Sequence, residues 1–121
     1  MKCYPVETPM GILHVTVART FWARLKGLLG RKCLSAGEGM LLWPCHGIHT
    51  WGMRFAIDVV FLSVSGEVLA SHARVAPWQV RRGPKGTFMT LELTAGSTET
   101  KKPEDQAWEC LSQLIGRQAH G

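Results

Sequence analysis

The side chains able to do chemistry are concentrated in residues 42–61, which read LWPCHGIHTWGMRFAIDVVF. Thiol, imidazole, hydroxyl, guanidinium and carboxylate groups all occur there, between two apolar segments. The candidate ligand-binding residues are Cys45, His49, Thr50, Met53, Arg54 and Asp58, joined by Trp78 further along the chain. We expect a site in this window, although residue types alone do not reveal its activity.

The first hypothesis for this site is a polar cluster of His49, Arg54 and Asp58. Asp58 opens an apolar segment, and an ionised carboxylate buried there needs charge partners or several hydrogen bonds. Arg54 and His49 are the nearest such partners along the chain. The cluster either braces a loop against a strand, or forms a pocket in which Arg54 binds an anion and His49 and Thr50 donate hydrogen bonds.

Two other kinds of chemistry remain open. Cys45, His46 and His49 offer three ligands for zinc, with Asp58 or water as the fourth. A Cys45 thiolate activated by histidine, or a general base made from His49 and Asp58, would instead make the protein an enzyme. The metal alternative lacks a second ligand pair. A binding or interaction module, with no catalytic residue and no cofactor, is therefore the preferred interpretation.

Length and charge narrow the class of protein. The chain has 121 residues, enough for one hydrophobic core, so we expect a single domain over residues 1–121. Its net charge of +5 favours anions in general but is too small to indicate nucleic acid, which we consider an unlikely partner. The candidate partners are a small anionic or sugar-like ligand, bound near Trp78 and a basic loop at residues 81–85, or another protein.

The N-terminal residues MKCYPVETPM lack the apolar core of a signal peptide, and no segment is long enough to span a membrane. We therefore expect a cytoplasmic protein. The four cysteines contain no CxxC pair, so we expect reduced thiols, with a Cys33–Cys45 disulfide left as an alternative.

The elements that position these residues follow from periodicity. Residues 2–8 and 12–17 alternate around a turn at residues 9–11, which predicts a β-hairpin. A basic helix follows at residues 20–30, then a loop at residues 35–39 and a short strand that ends before Pro44. Residues 57–64 are apolar on both faces, as in a central strand, and pair with residues 67–75 through a turn at Ser65-Gly66.

The last third of the chain contains one more strand and one more helix. Residues 81–86 have the composition of an exposed, mobile basic loop, and residues 87–93 alternate as a strand. Residues 97–102 have the composition of a solvated linker. The stripe of Trp108, Leu111, Leu114 and Ile115 predicts a helix that starts at Pro103 and ends at Gly116.

The strings RLKGLLGR, IHTWGMRFAID and LELTAG occur in that order, with Pro77-Trp78 between the last two. They resemble the bacterial and archaeal family catalogued as domain of unknown function one-nine-two, over about residues 10–96. The family motif maps onto Ile48, His49, Thr50, Gly52, Met53, Arg54, Phe55, Ile57 and Asp58. The resemblance implies a compact single domain and no established activity.

The fold class expected from the resemblance and from the patterns is α+β, mostly β. It comprises an antiparallel, barrel-like or sandwich β core with a short helix in the N-terminal half and a helix at the C-terminus. Ala56 and Thr94 stand where the family pattern has Pro, and no closing strand with a Gly-Asp pair follows Gly96. The C-terminal linker and helix at residues 97–116 take the place of that strand.

Overall fold

The computed structural model of the protein describes residues 3–18, 34–100, 103 and 108–120. The predicted helix at residues 20–30 and Cys33 lie outside these described residues. The strands are β1 (Cys3–Thr8), β2 (Gly11–Ala18), β3 (Glu38–Leu42), β4 (Gly47–His49), β5 (Ile57–Leu62), β6 (Val68–Val75), β7 (Val80–Arg82) and β8 (Met89–Thr94). The helices in the described ranges are α1 (Ser97–Thr100) and α2 (Glu109–His120).

Six strands form one mixed sheet in the order β1-β2-β3-β8-β5-β6, and β4 pairs with β7 in a separate two-stranded ribbon. β2 and β3 run parallel, while the other neighbouring pairs are antiparallel. The mostly β fold and the C-terminal helix are confirmed. The expected antiparallel, barrel-like core is wrong, because one pair is parallel and the described strands leave β1 and β6 as open edges.

The two predicted hairpins are both present. In the first, the Thr8 hydroxyl donates a 2.6 Å hydrogen bond to the Gly11 carbonyl, and Gly11 takes a positive φ of 93°. In the second, Gly66 turns β5 into β6 with a φ of 94°. A Cβ atom on Gly66 would lie 2.4 Å from the Trp108 carbonyl oxygen, so this turn packs directly against the chain entering α2.

Apolar side chains fill both faces of the large sheet, which explains why every residue of β5 is buried. On one face Val60, Leu62 and Leu91 pack against Trp108 and Leu111 beside α2. A second cluster lies on the opposite face: Ala18, Leu34, Met40, Leu42, Ile48, Met53, Ile57, Val59, Phe61 and Val75. The prediction that β5 is a central strand buried on both sides is therefore confirmed.

Three local predictions are corrected. Part of the segment predicted as a linker, residues 97–100, is helical as α1. Part of the predicted basic loop is strand, because Val80–Arg82 pairs with β4. α2 begins at Glu109 rather than Pro103 and continues past Gly116 to His120, since one glycine within an apolar stripe does not stop a helix. No helix in the described ranges is long and apolar enough to cross a membrane.

Candidate ligand-binding site

The ribbon of β4 and β7 forms the floor of an open surface groove. His49 lies opposite Val80 and Gly47 opposite Arg82, so these pairs share the outer face, while Ile48 is buried in the second core cluster. The groove has a volume of about 490 Å³, within the usual range for a small-ligand site. We call it the ribbon groove, and it is lined by His46, Gly47, Ile48, His49, Trp51, Val80, Arg81, Arg82 and Gly83.

Aromatic rings form one wall of the ribbon groove. The imidazole of His49 stacks on the indole of Trp51, with 4.6 Å between ring centroids and 28° between ring planes. The Trp51 amide also points at His49 Nδ1, 3.4 Å away. Trp51 is 51% exposed and Val80 is 50% exposed, so large apolar surfaces face the solvent next to the arginines. An aromatic face beside guanidinium groups suits a ligand that has both a flat part and a negative charge.

Thr50 joins the two turns that border the groove. Its hydroxyl donates to the Ala76 carbonyl at 2.7 Å and accepts from the Gln79 amide at 2.9 Å. Its own amide donates to the Gln79 carbonyl, and its carbonyl accepts from the amides of Trp78 and Met53. Thr50 has no exposed surface. The shape of the turn at residues 76–79 therefore depends on a side chain in the turn at residues 50–53.

Trp78 projects from this second turn in an unusual backbone conformation. Its φ is +66°, in the left-handed region that costs non-glycine residues about 1–2 kcal/mol. Its side chain is 68% exposed, the largest fraction among the exposed hydrophobic residues in the described ranges. Little burial offsets the backbone cost, so the conformation is maintained by the hydrogen bonds to Thr50.

The segment at residues 83–87 is a hydrogen-bonded turn. The Gly83 amide donates to the His46 carbonyl, and His46 Nδ1 lies 2.7 Å from the Thr87 carbonyl oxygen. Thr87 is buried, and its hydroxyl donates to the Pro84 carbonyl. Gly83 faces Thr87 so closely that a Cβ would lie 2.4 Å from its Oγ1. These contacts set the position of β7 and hence of Arg82.

Asp58 has a different role from the one predicted. Its carboxylate has no exposed surface and accepts four hydrogen bonds. Oδ1 accepts from the amides of Arg74 at 2.8 Å and Gly96 at 3.0 Å, and Oδ2 accepts from the amide and hydroxyl of Thr98, both at 2.8 Å. Arg74 lies at a bulge in the β5–β6 pairing and has a φ of +50°. At this bulge the Arg74 amide has no partner in the β5–β6 pairing, and the Asp58 carboxylate accepts its hydrogen bond instead. Because the same carboxylate also bonds to Thr98, it joins β6 to α1.

An exposed ion pair covers the Asp58 site. Arg74 Nε donates to Glu99 Oε1 at 2.6 Å, and Nη2 donates to Oε2 at 3.2 Å. The hydrogen bond and charge of Glu99 raise the pKa of Arg74 above its ordinary value. The hydrogen bond from Arg74 in turn lowers the pKa of Glu99. Both side chains are well exposed, so the pair adds little to stability.

The structure does not bring His49, Arg54 and Asp58 together. The donors to Asp58 are backbone amides and a hydroxyl, His49 stacks at the ribbon groove, and Arg54 is exposed. The predicted polar cluster is therefore wrong, and so is the general-base pair of His49 and Asp58. The sequence could not reveal this, because the partners of Asp58 come from residues 16 to 40 positions further along the chain.

The zinc alternative is also wrong for the described residues, where no three His, Cys, Asp or Glu side chains converge on one point. His46 is turned towards Thr87, as described above. Cys45 is a free thiol that donates to the Gly47 carbonyl at 3.1 Å, and Cys33, the other half of the disulfide left as an alternative, lies outside the described residues. Met53, named above as a candidate ligand-binding residue, is 4% exposed and packs in the second core cluster instead.

Sequence reasoning missed the central members of the ribbon groove. Arg82 was assigned to the basic loop at residues 81–86, and Val80 to no element, whereas both belong to the short strand β7. It also missed two polar side chains in the core, Thr90 and Glu92, which have no exposed surface on β8. Their alternation with apolar residues indicates a half-exposed strand, but β8 lies between β3 and β5 and is covered on both faces.

Comparisons with known proteins identify the family and the fold. The sequence profile of DUF192, described as "Uncharacterized ACR", matches residues 6–106. No curated protein matches significantly. A crystal structure of a protein of unknown function from Novosphingobium aromaticivorans matches with a TM-score of 0.69 and 22% identity, covering 81% of this chain and 77% of that one. A Sinorhizobium meliloti protein described as a "putative transcription regulator" matches at 0.66 and 21%, covering 79% and 81%.

Proposed function

This chain belongs to the DUF192 family, and from that premise we propose that it is a binding module that holds an anionic ligand in the ribbon groove. The observation that carries the proposal is the composition of the groove wall. Arg81, Arg82, His46 and His49 line it, and no acidic side chain does. A concave surface with one sign of charge concentrates ligands of the opposite sign.

Arg82 is the principal cation of the proposed site. It lies on the outer face of the ribbon, opposite Gly47, whose missing side chain leaves the strands in close contact. Arg81 lies opposite the buried Ile48, and its Nη1 already donates to the Val80 carbonyl at 2.8 Å. An arginine can make two parallel hydrogen bonds to a phosphate or carboxylate, so we assign the main anion contact to Arg82 and a supporting charge to Arg81.

An enzymatic role has less support. Of the groups that the sequence offered for acid–base or thiol chemistry, the Asp58 carboxylate is buried beside α1 and bonded to other groups, and the Cys45 thiol donates to a carbonyl rather than to a histidine. A role in binding agrees with the description of the Sinorhizobium protein as a "putative transcription regulator", and at 21% identity the two proteins share the fold.

A thermal-shift screen tests this proposal with inorganic phosphate, nucleotides, sugar phosphates and dextran sulfate. A bound ligand at one hundred times its Kd adds about 2.7 kcal/mol to the free energy of unfolding, which gives a readily measured rise in Tm. We expect the rise for the unmodified protein and for Arg117→Ala, which removes an exposed arginine on α2 outside the groove. We expect Arg82→Ala to lose it.

Two results would contradict the proposal. One is a screen in which no anion raises the Tm of the unmodified protein. The other is an Arg82→Ala variant that retains the full ligand-induced rise, because the anion would then be bound elsewhere on a protein with a net charge of +5.

A further inference from the structure

We propose that Trp51 and Trp78 stack on the bases of single-stranded nucleic acid while Arg82 holds a phosphate. This inference rests on the proposed function, because it names the class of anion that the ribbon groove takes. Net charge alone made nucleic acid an unlikely partner. The local arrangement of aromatic rings and arginines favours it instead. We call the exposed side chains of Trp51 and Trp78 the tryptophan pair.

One buried residue, Thr50, holds together the two turns that carry the tryptophan pair. Thr50 precedes Trp51 in the chain, and its carbonyl accepts the Trp78 amide at 3.1 Å. Its hydroxyl contacts the residues on either side of the Pro77-Trp78 turn, namely Ala76 and Gln79. The two indoles therefore project from adjacent turns whose relative position is set by hydrogen bonds rather than by contacts of the rings themselves.

Folding alone does not account for the position of Trp78. A left-handed backbone disfavours any side chain, and an indole that is 68% exposed gains little from burial. Glycine at this position would satisfy the turn without the backbone strain. An exposed aromatic ring kept in a strained conformation, two residues before Val80 of the basic groove, is instead suited to contact a ligand.

The side chains of the groove wall favour a nucleotide over a neutral sugar. A neutral sugar presents many hydroxyl donors, and none of the groove-lining side chains offers a carboxylate or amide oxygen to accept from them. The lining offers Arg82 for negative charge and His49 and Val80 for flat or apolar contact. A nucleotide supplies a phosphate and a flat base in one unit, and stacking of a base on an aromatic side chain tolerates any base.

A single strand fits this surface better than a duplex. In a duplex each base is already stacked on its neighbours, so an indole cannot contact its face without opening the helix. Both indoles of the tryptophan pair are more than half exposed on turns, and His49 covers one face of Trp51. β7 also contributes both Arg82 and Arg81 to the groove lining, so positive charge is available for more than one phosphate of an unpaired strand.

The experiment measures binding of a fluorescein-labelled oligothymidylate by fluorescence anisotropy at low salt, with dextran sulfate as a polyanion that has no bases. We expect Trp78→Gly to weaken oligothymidylate binding about tenfold, the effect of losing one stacked base. Binding of dextran sulfate should not change. Arg82→Ala should weaken binding of both probes. Ile12→Ala, which removes another exposed apolar side chain away from the groove, should affect neither.

Thr50 provides a second test that does not touch the ligand. Thr50→Val removes the hydroxyl that organises the Trp78 turn and should weaken oligothymidylate binding, whereas Thr50→Ser keeps the hydroxyl and should restore it. Circular dichroism and urea unfolding of each variant establish that it is folded at the assay temperature. Trp78→Gly removes backbone strain and an exposed ring, so it should remain folded.

The possible outcomes separate the two proposals. If dextran sulfate binds through Arg82 but oligothymidylate binding is insensitive to Trp51→Ala and Trp78→Gly, the nucleic-acid inference is wrong and the anion-binding function stands. Equal affinity for the single strand and for the corresponding duplex would also overturn the inference. If neither probe binds and the thermal-shift screen finds no ligand, both proposals are wrong.

Discussion

Replacing Asp58 by alanine tests the role that the structure gives this residue. The change leaves the amides of Arg74, Gly96 and Thr98 and the Thr98 hydroxyl without their acceptor, in a site with no exposed surface at Asp58. Each buried donor left unsatisfied costs about 1–3 kcal/mol. Water can reach the partly buried donors, so the costs do not simply add. We expect Asp58→Ala to lower the free energy of unfolding by about 4 kcal/mol.

Asp58→Asn separates shape from charge at the same site. Asparagine keeps one carbonyl oxygen, which can serve either the Arg74 and Gly96 amides or the Thr98 donors. Its amide nitrogen then faces the other pair. The Thr98 hydroxyl can rotate and accept from that nitrogen, whereas a backbone amide cannot. We therefore expect Asp58→Asn to cost about 2 kcal/mol, roughly half the effect of alanine.

Urea unfolding followed by circular dichroism measures both changes. A loss of about 4 kcal/mol lowers the urea midpoint by about 2 M for a domain with a typical m value. Glu99→Ala is the matched control, because it removes the exposed ion pair over the site and should change stability little. An Asp58→Ala variant with an unchanged midpoint would refute the assignment of Asp58 as a brace. So would a variant of normal stability that had lost ligand binding.

Two further predictions concern backbone space and thiol burial. Gly66→Ala should destabilise the protein by at least about 2 kcal/mol, because its φ is positive and a Cβ would clash with the chain entering α2. Gly116→Ala should instead stabilise α2 by about 0.5–1 kcal/mol, because a Cβ there meets no atom within 4 Å. Thermal unfolding of the two variants should show shifts in Tm of opposite sign. Burial raises the pKa of Cys110 above its ordinary value of 9.0, so its contribution to stability is present below about pH 9 and declines as pH rises through the raised pKa. Cys110→Ala should flatten that alkaline decline, and at pH ~8 a thiol reagent should label exposed Cys3 faster than Cys110.

Local patterns were sufficient to predict the elements whose partners are close in sequence. The β1–β2 hairpin needs only a turn at Gly11 between two alternating segments, and the β5–β6 hairpin needs only Gly66. The apolar run of β5 identified a central strand because burial on both faces removes every polar position except Asp58. In each case one short segment contains both the strand signal and the turn residue that fixes its pairing.

The candidate site was less predictable because its contacts are distant in sequence. His49 pairs with Val80, and Thr50 bonds to Gln79, about thirty positions away. No periodicity in residues 42–61 indicates that a three-residue strand at Val80–Arg82 will pair there. The strand β8 was predicted, but its neighbours β3 and β5 were not, so the burial of Glu92 did not follow from the alternating pattern.

The window at residues 42–61 and the turn that it contacts contain two kinds of residue: buried polar side chains that hold turns in place, and exposed aromatic side chains on those turns. Asp58 and Thr50 are fully buried, and their acceptors and donors fix turns that lie far from them in sequence. Trp51 and Trp78 are exposed and contribute little to the core. A buried polar group costs stability unless it is satisfied, and an exposed indole in a left-handed turn costs stability even when the turn is satisfied. The hydrogen bonds of Thr50 satisfy its own buried polar groups and also hold Trp78 in its strained, exposed position. This arrangement favours a binding surface over a purely structural loop.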